Sequence, residues 1–333
     1  MKTLGFSRYA LNCCVASAML AGCGGSQPPV GAPGAMPQTS APAMHADRGK
    51  SWMNPEASSD DLIYVASYPT AVLSYTTGKL VGTIDAGYEG VCSDSAGNVF
   101  FVGPSSSVVE YSHGGTTAIA TLYLPGKYPS AAGCASDPST GNLAVTYATE
   151  YQGGSAENVA VFPNAQGTPT VYQSGIGSQF CTYDDKGDLF ADGYAGYRGN
   201  GAGIAELPSG SSSFVDFSLN QGIGGNPWSV LWDGKYLSVE GVTSHSVTFS
   251  RVAITGSTAK IVGTVNIGGK THGGRASWLG GGTLIIPYHG YGAKIGFWRY
   301  PKGGKPEQVF THKNFGEQLS YAQGLAISLA PSH

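Results

Sequence analysis

One phrase recurs along this chain and limits what it can fold into. Residues 90–103 read GVCSDSAGNVFFVG: a short apolar run, a polar turn, a second apolar run. The phrase returns as AAGCASDPSTGNLAVTY (131–147) and QFCTYDDKGDLFADGY (179–194). Fainter copies follow as WSVLWDGKYLSVEG (228–241) and RASWLGGGTLIIPY (275–288). Between the copies lie hairpins of another kind, two strands around a Gly/Ser/Pro/Thr turn, as in VLSYTTGKLVGTI (72–84) and VAVFPNAQGTPTVY (159–172). Successive copies start 42 to 50 residues apart, the period of a four-stranded β-unit in a radial array.

No stretch carries a helical stripe, and the apolar runs are short and rich in Val, Ile, Tyr and Phe. Glycine, 51 of 333 residues, supplies the many tight turns such a chain needs. The expected fold is an all-β, six-bladed β-propeller over residues 60–330, at about 45 residues per blade. The head of this body has a strand at 61–67 and an outer hairpin but no innermost strand, and the tail has an innermost strand at 324–329 with nothing after it. The C-terminal strand is therefore expected to pair with the N-terminal strands and close the ring.

The first residues read as a targeting segment. Lys2 and Arg8 precede the apolar run 9–22, which is too short to span a bilayer comfortably. It ends in Leu20-Ala21-Gly22-Cys23, which resembles the lipobox of bacterial lipoproteins. The resemblance implies a signal peptide over 1–22 and lipidation of Cys23. Gly24 rather than Asp in the next position then implies the outer membrane where the host has two. Residues 23–59, rich in Pro, Ala and Gly, are expected to be a disordered, lipid-anchored linker.

Charged residues make up 12% of the chain and the net charge is −3, so no basic field is present to attract nucleic acid. Six cysteines occur: Cys13 and Cys14 fall in the signal segment, and Cys23 is the lipidation candidate. Cys92, Cys134 and Cys181 sit at one place in successive repeats. Equivalent positions in neighbouring blades are expected to lie beyond bridging distance, so the expectation is three buried thiols, with a disulfide as the alternative left open.

The body resembles the six-bladed propellers of the NHL and gluconolactonase-like superfamily, through its blade period and the D-x-x-G-N-hydrophobic turn at Asp94–Val99. That resemblance implies a fold and leaves the activity open. In a propeller, the loops entering the innermost strands ring the mouth of a central channel. Here they carry Glu89, Ser130, Gln179, Asn226, His272 and Gln323. The same face is expected to hold an aromatic set: Tyr68, Tyr88, Tyr128, Tyr147, Tyr151, Tyr194, Tyr197, Trp228, Tyr288, Tyr291 and Tyr321, with His289 beside them. Rings with a polar tip suit recognition.

The residues expected to bind a ligand are Glu89, Gln179, Asn226, Trp228, His272, Tyr288, His289 and Gln323. No cofactor, no metal and no nucleic acid partner is expected, and no G-x-S-x-G elbow marks a nucleophile. The expected function is a non-catalytic binding module, anchored in the cell envelope, for a glycan, peptide or envelope partner. The alternative is a metal-dependent propeller lactonase or lyase using Glu89, Asn226 and His272; Glu89 and Asn226 match by type two of the Glu, Asn and Asp ligands of gluconolactonase-like enzymes, and no Asp stands at the remaining strand entries.

Overall fold

The computed structural model describes residues 51–331, apart from 87, 104–105, 150–155, 196–200, 269–272, 289, 317–318 and 320. The signal-peptide expectation and Cys23 lie outside the described residues. The expected linker does not run to residue 59. Trp52–Met53 form a short strand against Leu80–Ile84, with Trp52 opposite Thr83. Ser51 accepts a hydrogen bond from the Asp85 N–H at 2.9 Å. Pro55–Ser59 then make one 3-10 turn, capped by the Asn54 side chain. Trp52, Met53 and Ala57 supply apolar surface that composition averaging over a Pro/Ala/Gly tract hides; Ala57 is fully buried.

The described body is almost entirely antiparallel β-sheet. In the first sheet, Leu62–Ala66, Thr70–Ser74 and Leu80–Ile84 are joined on the inner side by Gly324–Ser328. Leu62 pairs with Ser328, Ile63 with Ile327 and Ala66 with Gly324. A four-stranded sheet follows from Gly90–Ser93 to Ala118–Tyr123. Seven strands between Ser130 and Phe217 then form one continuous sheet. Two more four-stranded sheets run from Asn226–Trp232 to Thr258–Ile267 and from Trp278–Gly280 to Gln308–Phe310.

The seven-stranded sheet is continuous because one strand, Thr170–Tyr183, serves two neighbours. Its first part pairs with Ala156–Phe162 and its last part with Leu189–Tyr194. Between the two parts, the buried Ser174 hydroxyl meets Ile176 O at 3.0 Å and Ser178 Oγ at 2.7 Å, satisfying polar groups where the ladder changes partner.

Second strands are buried on both faces, whether their side chains are apolar throughout, as in LIYVA, or include polar groups, as in LSVEGV. Leu62–Ala66 and Leu237–Val242 are buried at every residue. Phe100, Leu143 and Phe162 fill one inter-sheet layer, and Phe190, Ile204 and Val239 fill another. At about 1.5–3 kcal/mol per fully buried large apolar side chain, these layers supply the main drive to fold.

The most repeated residue of the recurring phrase turns out to be a turn residue. Asp94 accepts from the N–H groups of Ala96 and Asn98. Asp184 accepts from Lys186 and Asp188, and Asp233 from Lys235 and Tyr236. Each carboxylate closes an Asx-type turn, and Gly97 and Gly187 take the positive φ that the next position demands.

The cysteine expectation is corrected. Cys92 and Cys134 form a disulfide, with Cα atoms 5.7 Å apart, and Cys181 is the free, buried thiol. Innermost strands converge more closely than generic blade spacing suggests. Gly90 has room for no Cβ, which would stand 2.6 Å from Ala132 O on the adjacent innermost strand. That close approach brings the two cysteines within bridging range. His113 is half-buried, with Nδ1 2.6 Å from Ser328 Oγ on the C-terminal strand. Burial pushes its pKa down.

Candidate functional site

Two cavities lie along the innermost strands. One, of about 280 Å³, opens where the chain enters those strands. The positions lining it are set by backbone irregularities. Glu89 precedes Gly90–Ser93 and is fixed by its N–H donating to Val102 O at 3.1 Å. Ser130 opens the next innermost strand. Gln179 sits in a bulge between Ser178 and Phe180, its carbonyl accepting from Thr146 Oγ1 at 2.7 Å. Trp228 sits in a second bulge, between Pro227 and Val230. Bulges re-aim side chains at the cost of one ladder position, and here two of them fall at one opening.

Arg275 completes the lining. Its N–H donates to Gln323 O at 2.8 Å, and its carbonyl accepts from Ser229 Oγ at 3.4 Å. Its Nη1 meets Glu89 Oε2 at 3.0 Å, tying the entry segments of two non-adjacent sheets together across the opening. Both side chains are more than a third exposed, so the pair adds at most about 1 kcal/mol to stability.

Two fully buried carboxyl groups, Asp192 and Glu240, occupy second strands beside these entries. Glu240 accepts from Gly274 N–H and from Ser277 Oγ, each at 3.2 Å. Burial pushes its pKa up to about 8, against the pull of those donors. Burial also raises Asp192 well above the carboxylate range, with the nearby Glu240 charge adding to the effect. Near neutral pH Glu240 therefore favours the protonated form. Thr146, fully buried, occupies the corresponding place in another second strand. All three carry polar groups at the joints between neighbouring sheets.

The second cavity, of about 390 Å³, is walled by the Cys92–Cys134 disulfide, Cys181, Asp185, Trp232 and Trp278. Burial pushes the Cys181 thiol up, so it is a poor nucleophile.

Of the residues singled out from sequence, Glu89, Gln179 and Trp228 line the mouth cavity, as do Ser130 and Tyr194. Asn226 is exposed and outside the lining, beside Pro227, which is in it. Gln323 also lies outside the lining, and its backbone supports the site by donating to Ala66 O and accepting from Arg275 N–H. Tyr288 is packed on Trp298, with ring centroids 6.1 Å apart. His272 and His289 lie outside the described residues.

The aromatic face divides. Tyr147 is buried and Tyr88 stacks on Phe101 at 4.7 Å, so both serve packing. Tyr68 and Tyr128 are each 78% exposed. Tyr151 and Tyr197 fall outside the described residues. Arg275 was missed from sequence. Its position directly before an innermost strand was the available signal. Among the described residues, no three His, Cys, Asp or Glu side chains are grouped to hold a metal ion.

No family model matches the chain, and no curated protein matches it. Solved structures do. A chain of a nidogen/laminin complex superposes with a TM-score of 0.61 at 13% identity, over 82% of this chain and 99% of that one. A Bacteroides caccae protein of unknown function gives a TM-score of 0.58 at 15% identity, over 81% and 99%. A Bacteroides fragilis protein provisionally named a 6-phosphogluconolactonase gives 0.50 at 15%, over 78% and 84%. The fold is a β-propeller. At these identities the likeness concerns the fold and nothing finer.

Proposed function

We propose that this chain is a lipid-anchored, extracytoplasmic propeller that binds a short glycan or peptide of the cell envelope at its mouth cavity, without catalysing a reaction. The observation carrying this is the lining itself. Trp228, Tyr194 and Phe180 offer ring surface, while Gln179, Ser130, Glu89 and Arg275 offer hydrogen bonds, around a space sized for one or two sugar rings or residues. The blade count is six when Thr170–Tyr183 is taken as the outer strand of one blade and the innermost strand of the next. Pairing of Gly324–Ser328 with Leu62–Ala66 supports closure by the C-terminal strand.

The Cys92–Cys134 bridge fits an oxidising compartment and supports export. Anchorage at Cys23, with an outer-membrane address in a two-membrane host, rests on the lipobox resemblance. A Cys23→Ser chain should leave the membrane fraction; retention there would overturn the anchor.

The lactonase alternative is less well supported. Glu89 is engaged by Arg275, and Asn226 lies outside the cavity lining, so these two do not converge on one point. Binding is tested by titrating the full chain with neutral and acidic envelope-type oligosaccharides and short peptides. Trp228→Ala and Gln179→Ala should each weaken the best ligand at least tenfold, with Gln179→Ala leaving the melting temperature within about 2 °C. Full affinity in both variants would remove this cavity from consideration.

A further inference from the structure

Among the described residues lining the mouth cavity, Arg275 is the cation, and the Glu89 carboxylate meets its guanidinium at 3.0 Å. We infer that the ligand is a saccharide bearing a carboxylate, and that this carboxylate takes the place of Glu89 on Arg275. The inference rests on ligand binding at this cavity, as proposed above.

A guanidinium presents paired N–H donors in a plane matched to a carboxylate, and Arg is favoured over Lys wherever that planar match matters. The Arg275 side chain is 43% exposed, so an incoming anion can reach it. Its backbone is fixed on both sides, to Gln323 O and Ser229 Oγ, so the donor is positioned before any ligand arrives. Glu89 therefore acts as an internal stand-in that satisfies Arg275 when the cavity is empty. The weak exposed pair is inexpensive to open, and the displaced Glu89 carboxylate can return to water.

The surroundings favour a sugar over other carboxylates. Trp228 and Tyr194 give flat faces on which a pyranose ring stacks, and Gln179 and Ser130 match hydroxyl groups in both donor and acceptor roles. Among the described lining residues, no cation besides Arg275 is present.

The test uses the full chain and four probes: the trisaccharides of galacturonate and glucuronate, and the methyl ester of each, which has the same shape without the charge. Calorimetric titration at low salt should show at least one acid trisaccharide binding at least tenfold tighter than its ester. Raising the salt should narrow that ratio. Arg275→Gln should erase the preference, so that acid and ester then bind with equal affinity. Glu89→Gln should tighten the acid at least threefold by removing the competing carboxylate. Equal affinity for acid and ester, or weaker acid binding in Glu89→Gln, overturns the inference and leaves glycan binding standing. Failure of all four probes in a cooperatively melting chain overturns glycan binding at this cavity as well. A tripeptide with a free C-terminal carboxylate that binds more tightly than every uronate would move the assignment from sugar to peptide.

Discussion

Removing the Cys92–Cys134 bridge should destabilise the body by an amount that can be worked from its position in the chain. The two residues are 42 apart in sequence. Constraining a loop of that length in the unfolded chain is worth about 4 kcal/mol in the chain-entropy treatment, within a usual range of about 2–5. A body of this size loses about 2–4 °C of melting temperature per kcal/mol, so Cys92→Ser/Cys134→Ser should melt about 8–15 °C lower.

Each single variant breaks the same bond, so Cys92→Ser, Cys134→Ser and the double variant should fall together rather than add. Reductant should lower the wild-type melt to the same level and leave the double variant unmoved. Cys181→Ser serves as the control. Its cost comes from placing a hydroxyl in a buried site and should not change with reductant. Differential scanning fluorimetry with alkylation and intact mass gives both readouts. Three alkylatable thiols at positions 92, 134 and 181 in the unfolded, unreduced chain would refute the bridge. A double variant melting within 2 °C of wild type would refute the loop-entropy reasoning.

Further outcomes follow from other sites. Glu240 has a folded-state pKa of about 8 against an ordinary value of 4.5, so the folded chain holds more protons between those values and stability falls as pH rises through them. Glu240→Gln should flatten that slope and gain most over wild type at pH 8; an unchanged pH profile of melting would show that Glu240 does not titrate in this range. Deleting residues 322–333 removes Gly324–Ser328, buried at every residue, and should abolish cooperative melting; a soluble truncation with a sharp transition would refute the role of that strand. Gly193→Ala would drive a Cβ into the carbonyl oxygen of Gly177, and should cost about 3 kcal/mol or more, read from denaturant unfolding; a cost under 1 kcal/mol would mean the bulge relaxes freely.

The repeat made the strands legible, because each copy pairs an apolar run with a turn residue whose chemistry is local. Asp94, Asp184 and Asp233 act within four residues of themselves, and sequence spacing reports that directly. The pairing of Ile63 with Ile327 was legible as well, since a missing strand at one end matched a spare strand at the other. The site was legible only in part. Glu89 and Gln179 followed from their place before innermost strands and Trp228 from the aromatic set, yet Asn226 followed by the strand-entry rule and lies exposed. The difference is a bulge, which shifts one residue relative to its neighbours and leaves no mark in a period of 42 to 50. The disulfide was illegible because it depends on how closely two backbones approach, and Gly90 sets that distance without advertising it. The division of tyrosines into packing and exposed groups depends on neighbours from other sheets, such as Phe101 under Tyr88.

The short strand at Trp52–Met53 sets where the chain joins the body. It runs beside Leu80–Ile84, and its Ser51 end lies against Asp85, just before the segment that leads to Glu89. The chain thus meets the body at the outer edge of the first sheet, where Trp52 and Met53 occupy backbone groups of Leu80–Ile84 that a strand from another molecule could otherwise take.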